Sequence, residues 1–244
     1  MTGGVITEIN RDPFGQAMRD YFRGNLSARV QVFSDLAEED HIPVKYLFRS
    51  FSQMPEWEKR ALEECRGKVL DIGAGAGSHA LELQHSGLEV TALDISPGAV
   101  EIMRQRGVQK VVNANIWELS GERYDTLLML MNGVGLVGDL KGLNKFLVFA
   151  RSLLKPGGQL LLDSSDVAYL FESENAAPPN PVYYGIISYQ MVYKNVLGET
   201  FDWLYVDFPR LTRHARAHGF HCELLLNGPH FEYLARLTPF EKKL

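Results

Sequence analysis

The sequence predicts a doubly wound α/β fold, with a mostly parallel seven-stranded sheet that ends in an antiparallel C-terminal hairpin. Three observations carry this prediction. Between Lys68 and Asp163, short apolar runs alternate with amphipathic stretches, a β-α-β rhythm that buries parallel strands under helices on both faces. The first run, Val69-Leu70-Asp71-Ile72, leads directly into Gly73-Ala74-Gly75-Ala76-Gly77. Near the C-terminus, His221–Leu226 and Phe231–Leu237 surround Asn227-Gly228-Pro229, the pattern of two strands joined by a turn.

Residues 1–67 read as an N-terminal cap and 68–244 as the main domain. Pro13–Arg23 predicts a helix, with Phe14, Ala17, Met18 and Tyr21 on one face. Ala28–Phe33 alternates like a short strand, and Pro55–Cys65 predicts a helix with Pro55 in its first turn, where a missing N–H costs little. In the core, Lys68–Ile72 is the first strand, and Gly77–Ser86 a helix that Gly87 terminates. Glu89–Asp94 is the second strand; Ser96 and Pro97 then cap and start a helix to Arg106. Val108–Asn113 and Thr126–Met131 are the third and fourth strands. Leu140, Leu143, Leu147, Ala150 and Leu154 mark the clearest helix, capped by Asp139 and stopped by Pro156-Gly157-Gly158. Gln159–Asp163 is the fifth strand. An insert, 164–206, follows, holding a hairpin of Ile186–Lys194 and Phe201–Val206 around the loop Asn195–Glu199. Pro209–His218 is a helix that Gly219 ends.

The 244 residues are 45% hydrophobic and 23% charged, ordinary for a globular chain, and suffice for a substantial core. A net charge of −5 argues against a binder of nucleic-acid phosphates, which normally shows a basic surface. No stretch approaches the ~20 apolar residues of a membrane span. Met1–Asn10 shows no basic segment followed by an apolar run, so no secretory leader is expected. Cys65 and Cys222 lack any Cys-x-x-Cys spacing and read as thiols in a reducing cytoplasm.

The glycine-rich turn lets bare backbone approach a ligand, because no Cβ intervenes. In an open α/β sheet ligands bind beyond the carboxyl ends of the strands. Asp71 stands at the mouth of the first strand, where a carboxylate can meet a cationic amine. Asp94 ends the second strand, where one carboxylate can accept from both ribose hydroxyls. Asn115 follows the third strand, where its amide can face an adenine edge. Each has a plainer alternative: Asp71 or Asn115 capping a turn, Asp94 serving the next helix.

On these residues the chain resembles the class I S-adenosylmethionine-dependent methyltransferases over about Lys68 to Leu237. Asp71-x-Gly73-x-Gly75-x-Gly77 matches the family's first motif, Asp94 its ribose-binding acid, and Asn115-Ile116 its adenine-proximal position, where the family more often has Asp. Leu154-Lys155-Pro156-Gly157-Gly158 is similar to the family's approach to strand five. The resemblance implies S-adenosyl-L-methionine as cofactor, held by Asp71, Gly73, Ala74, Gly75, Gly77, Asp94, Ile95, Asn115 and Ile116. Met131 and Asn132 fall where the family places groups beside the reacting methyl. The segment Met131–Gly135 lacks an Asn-Pro-Pro-aromatic pattern, which counts against methylation of nucleobase amines. Arg49 can pair with the methionine carboxylate, or it is a surface arginine. The aromatic insert can form a lid, or its rings are ordinary hairpin packing. His214 and His218 share a helix face, but no third metal ligand accompanies them, and they read with His79 as structural.

The resemblance thus implies a methyltransferase whose acceptor the sequence does not identify; a small molecule is expected because the net charge is acidic and the insert offers a lid. A nicotinamide-dependent oxidoreductase shares the glycine turn and the acid about twenty residues on, but Asp71 and the closing hairpin count against it. A protein that binds S-adenosylmethionine and acts only by interaction is the other alternative.

Overall fold

A computed structural model of the chain describes residues 11–171, 180 and 182–240. Met1–Asn10, and residues 172–179 and 181 of the insert, lie outside the described residues. The chain folds as two compact units, one of 1–54, 70–119 and 188–201, the other of 55–69, 120–187 and 202–244.

The first unit begins with helix α1 (Pro13–Phe22), capped by Asp12. Strands β1 (Arg29–Ser34) and β2 (Ala37–Pro43) form an antiparallel hairpin. β2 is absent from the sequence reading because Ala-Glu-Glu-Asp-His-Ile-Pro has no alternating apolar face; its pairing with β1 defines it. A 3-10 turn, Val44–Phe48, follows. β3 (Lys68–Ile72) leads through the glycine turn to α3 (Ser78–His85), then β4 (Glu89–Asp94), α4 (Pro97–Arg106) and β5 (Lys110–Asn113). Their bounds match the sequence reading to within two residues. Ala17, Met18, Val30, Val32, Val44, Ala76, Ala99 and Ile102 share one buried cluster, so the cap and the glycine-turn layer have a common core.

From the insert, β8 (Ile186–Tyr193) pairs antiparallel with β1. It turns at Lys194, φ 53°, and pairs back with β9 (Val196–Leu197). The expected loop Asn195–Glu199 is therefore partly strand, and the hairpin is tighter than the sequence suggested. Cap and insert thus contribute strands to one sheet.

The second unit contains α2 (Glu56–Glu64), β6 (Tyr124–Met129), α5 (Leu140–Leu153), β7 (Leu154–Ser165), β10 (Phe201–Leu204), α6 (Phe208–Ala217), β11 (Phe220–Asn227) and β12 (Glu232–Pro239). Pro55 is the N-cap of α2 and not a first-turn residue. β6 stops at Met129, which leaves Met131 beyond the strand and not within it. Helix α5 ends at Leu153 because Leu154 pairs with Tyr124, before the Pro-Gly-Gly that was expected to stop it. Leu143, Phe146, Leu147 and Ala150 of α5 are fully buried, as are Leu160, Leu161 and Leu162 of β7.

The main sheet has seven strands in the order β11-β12-β7-β6-β3-β4-β5. The pairs β4–β5 and β6–β7 are parallel, whereas β12 runs antiparallel to both β7 and β11. This is the predicted sheet with its antiparallel close.

Candidate functional site

The glycine turn of the first unit is held by backbone alone. Gly73 and Ala74 both donate to the Leu93 carbonyl, at 2.9 and 3.0 Å, and Gly77 donates to Ala74 at 2.8 Å. Gly73, Gly75 and Gly77 all have positive φ, 75°, 56° and 81°, where a Cβ is strained. Their surroundings differ. A Cβ on Gly73 would meet nothing within 4 Å, so that backbone faces open space. A Cβ on Gly77 would lie 2.9 Å from both Met103 and Val108, so that glycine serves helix packing. The carbonyl of Ala76 accepts from Arg106 at 2.6 Å, and Ser78 donates to the Leu47 carbonyl at 2.7 Å, which ties the cap's 3-10 turn to the start of α3.

These differences predict two separable phenotypes. Gly73→Ala lowers ligand affinity and costs the fold only about 1–2 kcal/mol of left-handed strain. Gly77→Ala adds overpacking, for a total loss of about 2–4 kcal/mol. Thermal melts alongside S-adenosylhomocysteine titrations check this; equal melting losses in the two variants would contradict it.

Asp71 and Asp94 frame the turn. Asp71 is 2% exposed, and its Oδ2 has no hydrogen-bond partner. Burial pushes its pKa up to about 6, against the opposing influence of the His79 ring and the Ala80 N–H. An ionised carboxylate so placed has one oxygen without a hydrogen bond, which an incoming ammonium would supply. Asp94 is fixed by backbone: Oδ2 accepts from Gly75 N–H and Oδ1 from Ser96 N–H, both at 2.8 Å. Burial again dominates and raises its pKa to about 6. Two of a carboxylate's roughly four acceptor positions are then used by the chain, which leaves two for a pair of vicinal hydroxyls.

Ile95 beside it is 38% exposed, and Ile116 is buried. The Asn115 side chain accepts from Trp117 N–H at 3.2 Å, and the Asn115 backbone N–H donates to Glu118 Oε2 at 3.1 Å. Asn115 thus caps a 3-10 turn, the plainer alternative. Arg49 is half-buried, its guanidinium 5.8 Å from the Tyr46 ring centre.

In the second unit, Met131 and Asn132 are consecutive left-handed residues, φ 63° and 54°. Their N–H groups donate to the two oxygens of buried Asp163, at 3.1 and 2.7 Å. Ser165 and the Asn132 side chain are joined at 3.1 Å. Left-handed non-glycine residues cost about 1–3 kcal/mol each and cluster where function requires them. In the sequence Asp163 reads only as the end of a strand, because its partners lie more than thirty residues away. Nearby in the insert, Tyr183 donates to Asp207 at 2.7 Å and Tyr184 to Asp166 at 2.8 Å. Burial pushes both tyrosines well above the usual phenol range, so they stay protonated as donors. The Trp203 indole packs so closely on Gly135 that a Cβ there would lie 2.0 Å from its nitrogen. His214 meets Asn144 at 2.6 Å, and His218 meets the His214 carbonyl at 2.9 Å.

A family model described as a methyltransferase domain matches residues 69–158. A solved S-adenosylmethionine-dependent methyltransferase from Bacteroides fragilis, in complex with S-adenosyl-L-homocysteine, is 44% identical, with a TM-score of 0.91 over 99% of this chain and 100% of that one. The demethylmenaquinone methyltransferase of Tropheryma whipplei is 30% identical over 127 residues, 48% of this chain and 51% of that protein. The ubiquinone biosynthesis O-methyltransferase of Xanthomonas euvesicatoria pv. vesicatoria is 26% identical over 117 residues, 45% of this chain and 47% of that protein. The chain therefore spans about half the length of these two relatives.

Proposed function

Because the chain belongs to the S-adenosylmethionine-dependent methyltransferases, we propose that it transfers a methyl group from S-adenosyl-L-methionine to a small-molecule acceptor. The observation that carries this reading is the unpartnered, buried Oδ2 of Asp71 beside a glycine turn whose Gly73 faces open space. A cationic ligand that needs both close backbone approach and a carboxylate fits this donor set.

In this reading Asp71 takes the ammonium, and Gly73, Ala74, Gly75 and Gly77 give the cofactor its backbone approach. Asp94 takes the ribose hydroxyls, Ile95 and Ile116 flank the adenine, and Asn115 offers it an amide donor. Arg49 takes the carboxylate. Met131 and Asn132 are assigned to the reacting end, and within their own unit Asp163 holds their loop. When bound, the cofactor supplies an already electrophilic methyl group. The chain's task is then to orient the acceptor and exclude water, more than to activate it.

A small-molecule acceptor is supported by the relatives named for quinone substrates and by the net charge of −5. Among the described residues no helix is long and apolar enough to cross a membrane, and no disulfide joins Cys65 to Cys222.

Calorimetric titration tests the reading. S-adenosylmethionine and S-adenosylhomocysteine bind, and NAD and NADP do not. Binding of a nicotinamide cofactor instead would make the oxidoreductase reading the primary one.

A further inference from the structure

Asp12 is a fully buried carboxylate whose partners are two N–H groups and a hydroxyl. One oxygen accepts from Gly15 N–H at 2.8 Å, the ordinary duty of a helix cap. The other accepts from the Ser96 hydroxyl at 2.6 Å and from Gly98 N–H at 3.0 Å. Those two belong to the start of α4, so Asp12 caps two helices at once, and the positive ends of both offset its charge.

Ser96 links this cap to the site. Its hydroxyl hydrogen points to Asp12, which leaves the oxygen to accept from Ala99 N–H at 2.9 Å. Its N–H is one of the two backbone donors that hold Asp94. The two helices meet there almost without side chains. A Cβ on Gly98 would lie 2.4 Å from the Gly15 Cα, and one on Gly15 would lie 2.7 Å from the Ser96 hydroxyl. With so little space, α1 has one seating on α4, and Asp12 secures it.

We propose that Asp12 is a positioning residue for cofactor binding: acting through Ser96, it holds the Asp94 carboxylate in place, so that seating of the cap helix and affinity for the ribose are linked. The inference rests on the cofactor reading above. An Asn at position 12 keeps size and shape but replaces one acceptor oxygen with a donor. The new amino group leaves Gly98 N–H unpartnered at the first turn of α4 if it turns toward Gly98, or Gly15 N–H unpartnered at the start of α1 if it turns toward Gly15; in either orientation the seating of α1 on α4 loses an acceptor.

The test is calorimetry of the full chain with S-adenosylhomocysteine, together with a double-mutant cycle. Asp12→Asn weakens binding by about tenfold, the scale of one lost hydrogen bond to a charged group. Ser96→Ala, which keeps Asp12 and removes the relay, weakens it in the same direction and serves if Asp12→Asn does not fold. In an Asp94→Asn background Asp12→Asn costs less than about twofold, because the residue through which it acts has already been changed. A purely structural Asp12 would instead lower the melting temperature and leave affinity unchanged, or give losses that add to those of Asp94→Asn; either result overturns the inference. Failure of the unmodified chain to bind S-adenosylhomocysteine overturns the cofactor reading itself, and this inference with it.

Discussion

Asp71→Asn makes the ligand-free chain more stable at pH 7.5 and removes most of its affinity for the cofactor. Asp71 is 2% exposed, with one oxygen unpartnered. Its pKa of about 6, against 3.8 for a free aspartate, means that above pH 6 the fold carries a desolvated charge. That charge costs on the order of 3 kcal/mol. Asparagine removes it and keeps a carbonyl for the Ala80 N–H. The new buried NH2 group costs about 1–3 kcal/mol in return. The expected net gain is roughly 1 kcal/mol, or about 2–4 °C in melting temperature for a chain of this size. The same change deprives an ammonium of its counter-charge, so S-adenosylhomocysteine binding weakens by about 10- to 100-fold. Melting curves and calorimetry on one preparation read both signs. A variant that melts lower and binds as before would make Asp71 an ordinary buried residue of the strand.

The opposite signs identify what the sequence could and could not show. The positions of Asp71, Gly73 and Asp94 were legible because each is set by local events, the end of a strand or a turn that demands positive φ. The same holds for α4, where Ser96 and Pro97 announce the helix start. Long-range partners were not legible. Nothing in Ala37–Pro43 marks a strand until β1 lies beside it, and β8 joins that sheet from more than 150 residues away. Nothing in the sequence singles out Asp12, because its second set of partners lies 84 and 86 residues on. Asp163 is hidden in the same way. The sequence carries the motif, and the tertiary structure adds the carboxylates that hold the motif's surroundings.

Stability and cofactor affinity of the chain respond to pH in opposite directions between about pH 5 and 7. Asp71 and Asp94 both have folded pKa values raised by burial to about 6. Between 3.8 and 6 the folded chain therefore holds protons that the unfolded chain has released. The sign follows from linkage: the stability contributed by these protons is fully present below about pH 4 and is lost as pH rises through about 6. For these two groups alone, the ligand-free protein is more stable at pH 5.5 than at pH 7.5. Binding runs the other way, since an ammonium and a pair of ribose hydroxyls both favour the ionised carboxylates. Affinity is lost as pH falls through about 6, by up to about tenfold per pH unit for each group that must ionise. At pH 6 binding also releases protons, so the apparent binding enthalpy changes with the ionisation enthalpy of the buffer. Calorimetry with S-adenosylhomocysteine in two buffers at pH 6 and pH 8 measures that release directly. A binding enthalpy independent of buffer at pH 6, with affinity flat from pH 5 to 8, would mean that neither carboxylate changes charge when the cofactor enters.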